Sequence, residues 1–174
     1  MREQIRALQQ RLGVTVIYVT HDQSEALAIS DRIIVMRNAE IAQAGTPAEL
    51  YATPDNVSVA TFMGEANHVR GTIAAIEGDS ADAALGPLHM RLPHRGLAPG
   101  AVDVVIRPEA VRIADPGLPA TVARATYMGS QMEYHFATEV GEIFATSPDR
   151  AHRRAPGEAV ALTFDPDGIM VVRP

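Results

Sequence analysis

The sequence predicts an α/β segment over residues 1–64 followed by an all-β domain over residues 65–174. Three observations carry this reading. An amphipathic stretch runs directly into Val14-Thr15-Val16-Ile17-Tyr18-Val19-Thr20, a β-branched, almost wholly apolar run of the kind buried on both faces of a parallel sheet. The alternation of helical and extended patterns stops near Gly64. Beyond it come short β-type runs separated by Gly/Pro turns, the pattern of a small barrel or sandwich.

In the first part, Met1, Ile5, Leu8 and Leu12 fall at helical spacing and form one apolar stripe, with Gly13 placed to end the helix. The run 14–20 is the expected strand. His21 follows it, and Asp22 with Glu25 three positions later reads as a capping box for a helix through Ala26, Leu27 and Ile29. Residues 32–36 form a second short strand with 40–44 returning against it as a hairpin. Thr46-Pro47-Ala48-Glu49 supplies an N-cap, a proline at the first helical position and a glutamate three after the cap. Thr53-Pro54 repeats that signal for a last short helix ending near Gly64. In the second part the expected strands are 69–76, 102–107, 111–114, 120–127, 133–138, 142–145, 159–164 and 169–172. Asp115-Pro116-Gly117, Ala155-Pro156-Gly157 and Asp165-Pro166-Asp167-Gly168 read as turns.

Composition narrows the function. A formal net charge of −6 without a basic face argues against nucleic acid as a partner. No apolar run is long enough to span a bilayer, and the polar start MREQIRALQQRLG is unlike a signal peptide. The absence of cysteine excludes disulfides and thiolate metal sites, and together these features favour the cytoplasm. All 15 basic residues are arginine. A phosphate-binding loop of the form G-x-x-x-x-G-K-[ST] needs a lysine, so an ordinary one is absent.

The chemistry centres on His21. A strand buried in a parallel sheet would deliver this titratable residue at its C-terminal end, just before a helix N-terminus, where open α/β sheets bind ligands and anions are favoured. A neutral imidazole there can donate one hydrogen bond to a phosphate oxygen while the other nitrogen is held by the protein. A structural histidine at a strand end is the competing reading. The longer string VTHDQSEALAISDRIIVMRNAEIAQAGTPAELY closely resembles the end of the nucleotide-binding domain in importer-type ABC ATPases, in the branch serving iron(III), polyamines, sugars and glycerol phosphate. In that family T-H-D-Q-x-E-A holds the switch histidine, which meets the γ-phosphate of ATP across a sandwich of two nucleotide-binding domains. His21 is the matching residue, as both catalytic and cofactor-binding group. Asp31 to Met36 and Gln43 to Tyr51 match the following stretches. The resemblance covers residues 1–64 almost continuously.

One departure is the hairpin turn, where Asn38-Ala39-Glu40 stands in place of glycine and a basic residue; asparagine tolerates a positive φ. A second is that the family's phosphate-binding loop, glutamine loop, signature motif and catalytic carboxylate all precede the point matched by Met1-Arg2-Glu3-Gln4-Ile5. The resemblance therefore implies a truncated nucleotide-binding domain. It would contribute to Mg-ATP chemistry only within a complete subunit, with no cofactor and no hydrolysis expected for the chain alone. The implied partners are a second copy of the ATP-binding subunit and transmembrane permease subunits, at the inner face of the cell membrane.

The second half resembles the transport-associated oligonucleotide/oligosaccharide-binding-like (TOBE) domain that follows such ATPases. Val104-Val105-Ile106-Arg107-Pro108-Glu109-Ala110-Val111-Arg112-Ile113, then Tyr127-Met128-Gly129-Ser130 and Glu133-Tyr134, carry that likeness. It implies docking of subunit on subunit and, in some members, a regulatory ligand. A self-sufficient dimerisation or small-anion sensor module is the alternative. Arg107 offers an anion contact, or else a partly buried arginine paired with carbonyls or Glu109. His68, His89, His94, His135 and His152 are scattered, and no metal site is expected from them. Arg150, His152, Arg153 and Arg154 read as a solvated loop. The apolar stripe and the 14–20 run need cover, so a homo-oligomer is expected.

Overall fold

The computed structural model describes residues 2–173, and its backbone divides into two compact units, Met1–Gly64 and Glu65–Pro174. Met1, the first residue of the expected apolar stripe, lies outside the described residues.

The first unit begins with α1 (Arg2–Leu12), closed by Gly13, whose N–H reaches the Gln9 carbonyl at 2.9 Å while its φ of +64° takes the left-handed conformation. After α2 (Gln23–Ile29), β1 (Ile33–Arg37) and β2 (Glu40–Gly45) form an antiparallel hairpin with a bulge between Val35 and Met36. Its two turn residues, Asn38 and Ala39, have φ of +52° and +63°, the geometry that matches the twist of a two-residue hairpin. Helix α3 (Pro47–Ala52) carries the full Thr46/Glu49 capping box. Helix α4 (Val57–Phe62) differs from expectation in its start. Asn56 is the cap, accepting from the Val59 N–H, while Thr53 closes α3 through its N–H to the Glu49 carbonyl. Ile33 and Val35 from one face of β1 pack with Leu50, Val59 and Met63 into a small core, and the period of two leaves Ile34 and Met36 exposed.

The expected strand over 14–20 is not formed. The segment is irregular, and Ile17 and Val19 are 90% and 91% exposed. A strand exists only by hydrogen bonding to a neighbour, and none of the described residues pairs with this run. The parallel sheet that would make this unit α/β is therefore not seen. Among the described residues, the only strand pairing in this unit is the β1–β2 hairpin.

The second unit is built from two antiparallel sheets. The five-stranded sheet has the order β11-β6-β3-β4-β5, from β3 (Asn67–Glu77), β4 (Ser80–Leu85), β5 (Leu88–Pro93), β6 (Gly100–Ile106) and β11 (Ile169–Val172). The four-stranded sheet has the order β10-β7-β8-β9, from β7 (Val111–Tyr127), β8 (Met132–Thr138), β9 (Gly141–Ser147) and β10 (Ala159–Phe164). One hydrophobic core joins them, with Val69, Ile73 and Val104 from the first meeting Val122, Phe136 and Ile143 from the second.

Two details depart from the sequence reading. The β4–β5 hairpin was not among the expected strands. Its inward residues Ala81, Ala83 and Leu85 alternate correctly, but alanine and aspartate are poor strand formers. The expected strands 111–114 and 120–127 are one element, β7. Its pairing with β10 jumps from Ile113↔Leu162 to Pro119↔Ala161. Asp115-Pro116-Gly117 thus makes an excursion within the strand rather than a turn that ends it, a bulge-like solution for residues that cannot sustain a ladder. Among the described residues no helix is long and apolar enough to cross a membrane.

Candidate functional site

His21 sits in a bend whose two flanks are pinned by short-range polar contacts. The Thr20 hydroxyl accepts from the Asp22 N–H at 2.9 Å and donates to the Glu25 carboxylate at 2.9 Å. The Tyr18 hydroxyl also donates to Glu25, at 3.0 Å. Asp22 caps α2 by accepting from the Glu25 N–H at 3.1 Å. Threonine, aspartate and glutamate at this spacing fix the backbone on both sides of His21, whose exposed imidazole makes no hydrogen bond to any described residue. Helix α2 spans only seven residues and contributes a short dipole beside it.

This geometry offers one hydrogen-bonding imidazole to a ligand and little more. Among the described residues no three His, Asp or Glu side chains converge on a metal position. With no lysine anywhere in the chain, the residues present fit a single contact to a nucleotide phosphate, not a complete Mg-ATP site.

The remaining sequence candidates have structural surroundings. Arg107 is buried, 2% exposed, with its backbone N–H on the Gly168 carbonyl and its guanidinium on the Glu65 carbonyl at 3.3 Å. The guanidinium contact is of the kind the carbonyl-paired alternative expects. Four of the scattered histidines each face a carboxylate. His68 and Arg70 share Asp103 at 2.8 and 2.9 Å, His89 lies near Asp82, His135 bonds Glu142 and His152 bonds Asp149. The basic cluster is knitted into its loop. Arg150 donates to the Gly129 carbonyl, Arg153 stacks 4.5 Å from the Tyr127 ring centroid, and Arg154 pairs with Glu158 at 2.7 Å. Asp149 is held below its ordinary carboxylate pKa by the backbone N–H of His152, then by the His152 side chain.

Sequence reasoning missed Asn67, whose side chain bridges the two sheets by pairing with the backbone of Phe144. The two residues are far apart in sequence, and no local pattern marks them.

The fold of the second unit and the order of its strands define a class. Residues 104–172 match the family described as the TOBE domain. The structure of the cytoplasmic molybdate-binding protein ModG shares the fold, with a TM-score of 0.53, 22% identity, and coverage of 62% of this chain and 96% of that one. The whole chain is homologous to the ATP-binding subunits of ABC importers and carries their TOBE domain. It is 42% identical over 99% of its length to the Fe(3+) ions import ATP-binding protein FbpC of Rhizobium etli, covering 50% of that protein. It is 41% identical to the FbpC 1 protein of Rhizobium meliloti, and 36% identical to the spermidine/putrescine import ATP-binding protein PotA of Ruegeria pomeroyi, again over 99% of this chain and 50% of each relative. The chain thus spans about half the length of the curated relatives it matches.

Proposed function

We propose that the chain is the C-terminal portion of the ATP-binding subunit of an import system, with residues 1–64 ending its nucleotide-binding domain and residues 65–174 forming its docking and regulatory domain. The observation that carries this reading is the run 14–20. An apolar, β-branched segment with Ile17 and Val19 almost fully exposed ends directly in His21. Such a run is suited to the interior of a sheet, and placed there it would carry the imidazole to the sheet's ligand-binding edge.

In the complete subunit Mg-ATP supplies the phosphoryl group. This chain's part is to present His21 as a hydrogen-bond donor to a γ-phosphate oxygen, with Thr20, Asp22 and Glu25 fixing its backbone. The residues that hold the metal and activate water come from elsewhere in the subunit, so the chain alone neither hydrolyses nor binds ATP. Its partners are a second copy of the subunit and the permease subunits, at the cytoplasmic face of the membrane. The likeness to both iron and polyamine importers leaves the solute to the partner subunits.

Amide hydrogen exchange tests the reading. The amides of 14–20 should exchange freely in the chain alone and become protected in the complete subunit. Free exchange in both would remove the run from the sheet and with it the placement of His21.

A further inference from the structure

Three hydrogen bonds close a ring with His21 at its apex. The Asp22 N–H donates to the Thr20 hydroxyl at 2.9 Å, that hydroxyl donates to Glu25 Oε2 at 2.9 Å, and the Glu25 N–H donates to Asp22 Oδ1 at 3.1 Å. The Tyr18 hydroxyl donates to the same Oε2 at 3.0 Å and ties the ring to the chain that leads into it. Chemistry fixes the directions. An ionised carboxylate only accepts, so both hydroxyl protons point at Glu25 and the Thr20 lone pairs stay free for the Asp22 N–H. The two sides of the bend thus converge on one carboxylate oxygen.

The spacing is compatible with a sheet. Tyr18 and Thr20 are two positions apart, so in an extended strand they project to one face, while the exposed pair Ile17 and Val19 projects to the other. The run can therefore enter a sheet without releasing Glu25. Packing constrains this end weakly, because α2 has seven residues and none of them is buried. Polar bonds rather than a core hold the first turn of α2 against the run, and they set the direction in which the imidazole leaves the bend.

We propose that Glu25, with Tyr18 and Thr20 as its donors, is a positioning residue that aims the His21 imidazole without itself touching the nucleotide. The inference rests on the γ-phosphate contact given to His21 above and adds the device that sets its aim. A hydrogen bond made mainly in the transition state needs its donor in place beforehand, and a misplacement of about 1 Å can lower a rate roughly 10²-fold. Loss of the clamp should therefore act on turnover and not on ATP affinity.

The test has one arm without nucleotide and one with it. In the full chain alone, amide hydrogen exchange at Asp22 should accelerate about threefold or more in Glu25→Leu and stay near the parent rate in Glu25→Gln, which keeps an acceptor oxygen. Unchanged exchange in β1 and β2 establishes that the variants are folded. The second arm uses a complete subunit in which this chain replaces the matching half of the Rhizobium etli FbpC protein. There Glu25→Leu should lower kcat about tenfold with KM for ATP within about twofold of the parent. Glu25→Gln should recover most of that loss, and Tyr18→Phe should lose about threefold. Introduced into His21→Ala, Glu25→Leu should change turnover by less than about twofold, because a group that acts through His21 has nothing left to position. The proposal is overturned by parent-like exchange at Asp22 in Glu25→Leu, by an undiminished Glu25→Leu effect in the His21→Ala background, or by a loss that falls on KM alone. Near-normal turnover in His21→Ala refutes the underlying reading and takes the positioning role with it; accelerated exchange at Asp22 would then mark the clamp as purely structural.

Discussion

The side-chain amide of Asn67 pairs with both backbone polar groups of Phe144. It accepts from the Phe144 N–H at 2.6 Å and donates to the Phe144 carbonyl at 2.8 Å. Phe144 lies on β9, the outer strand of the four-stranded sheet, while Asn67 opens β3 in the other sheet. One side chain thus occupies the place of a neighbouring strand, satisfies an edge that would otherwise be bare, and ties the sheets together. It also donates to the Ile106 carbonyl at 3.2 Å.

Replacing Asn67 by Ala should therefore cost far more than its size suggests. Three backbone groups lose a partner, and a loss of about 2–4 kcal/mol is expected. Urea unfolding should show a lower midpoint with an unchanged slope. A change below about 0.5 kcal/mol would mean that water replaces the amide without penalty.

The turn at Asn38-Ala39 makes the opposite prediction. Alanine at a φ of +63° carries a steric cost that glycine does not. Ala39→Gly should stabilise the first unit by about 0.5–1 kcal/mol after the entropy of the added glycine is counted. A destabilised variant would show that the side chain of Ala39 contributes packing that its exposure does not suggest.

Helix α3 should respond to acid through Glu49. The Thr46 backbone N–H, and then the Thr46 hydroxyl contact, hold the Glu49 carboxyl below its ordinary pKa of 4.5. A depressed folded-state pKa means that the contribution is complete above 4.5 and is lost as pH falls through the lowered value. The capping contacts, followed by the Thr46 amide shift, should loosen only below the ordinary glutamate range. Glu49→Gln should abolish that titration. A Thr46 shift that titrates unchanged in Glu49→Gln would assign it to another group.

The exposed run allows a paired test. Ile17→Ser with Val19→Ser should leave the stability of the chain alone within about 0.5 kcal/mol, because both side chains already face water. Light scattering should show less self-association than in the parent, since an exposed apolar run invites pairing with another chain. In the complete subunit the same changes should be strongly destabilising. Equal stability losses in both settings would show that the run is packed in the isolated chain.

Elements with strong local chemistry were legible in the sequence. Gly13 ends α1, Thr46 and Glu49 box α3, and Pro166-Asp167-Gly168 turns the chain into β11. What was not legible depends on neighbours. The run 14–20 has the composition of a strand, but composition supplies no hydrogen-bonding partner. Ala81 and Ala83 are fully buried yet too small to announce a strand. Asp115-Pro116-Gly117 has turn chemistry, and only the ladder on either side of it shows that β7 continues. At the candidate site, His21 was marked by its place after an apolar run and before a capped helix. Asn67 carried no such mark, because its partner Phe144 is brought to it by the closure of two sheets.

The most direct measurement is ATP turnover in a complete subunit in which this chain replaces the matching half of the Rhizobium etli FbpC protein. If His21 contacts the γ-phosphate mainly in the transition state, His21→Ala should lower turnover by about 10²-fold or more while leaving ATP affinity nearly unchanged. Near-normal turnover in the folded variant would contradict the account and leave His21 a structural residue at the end of an apolar segment.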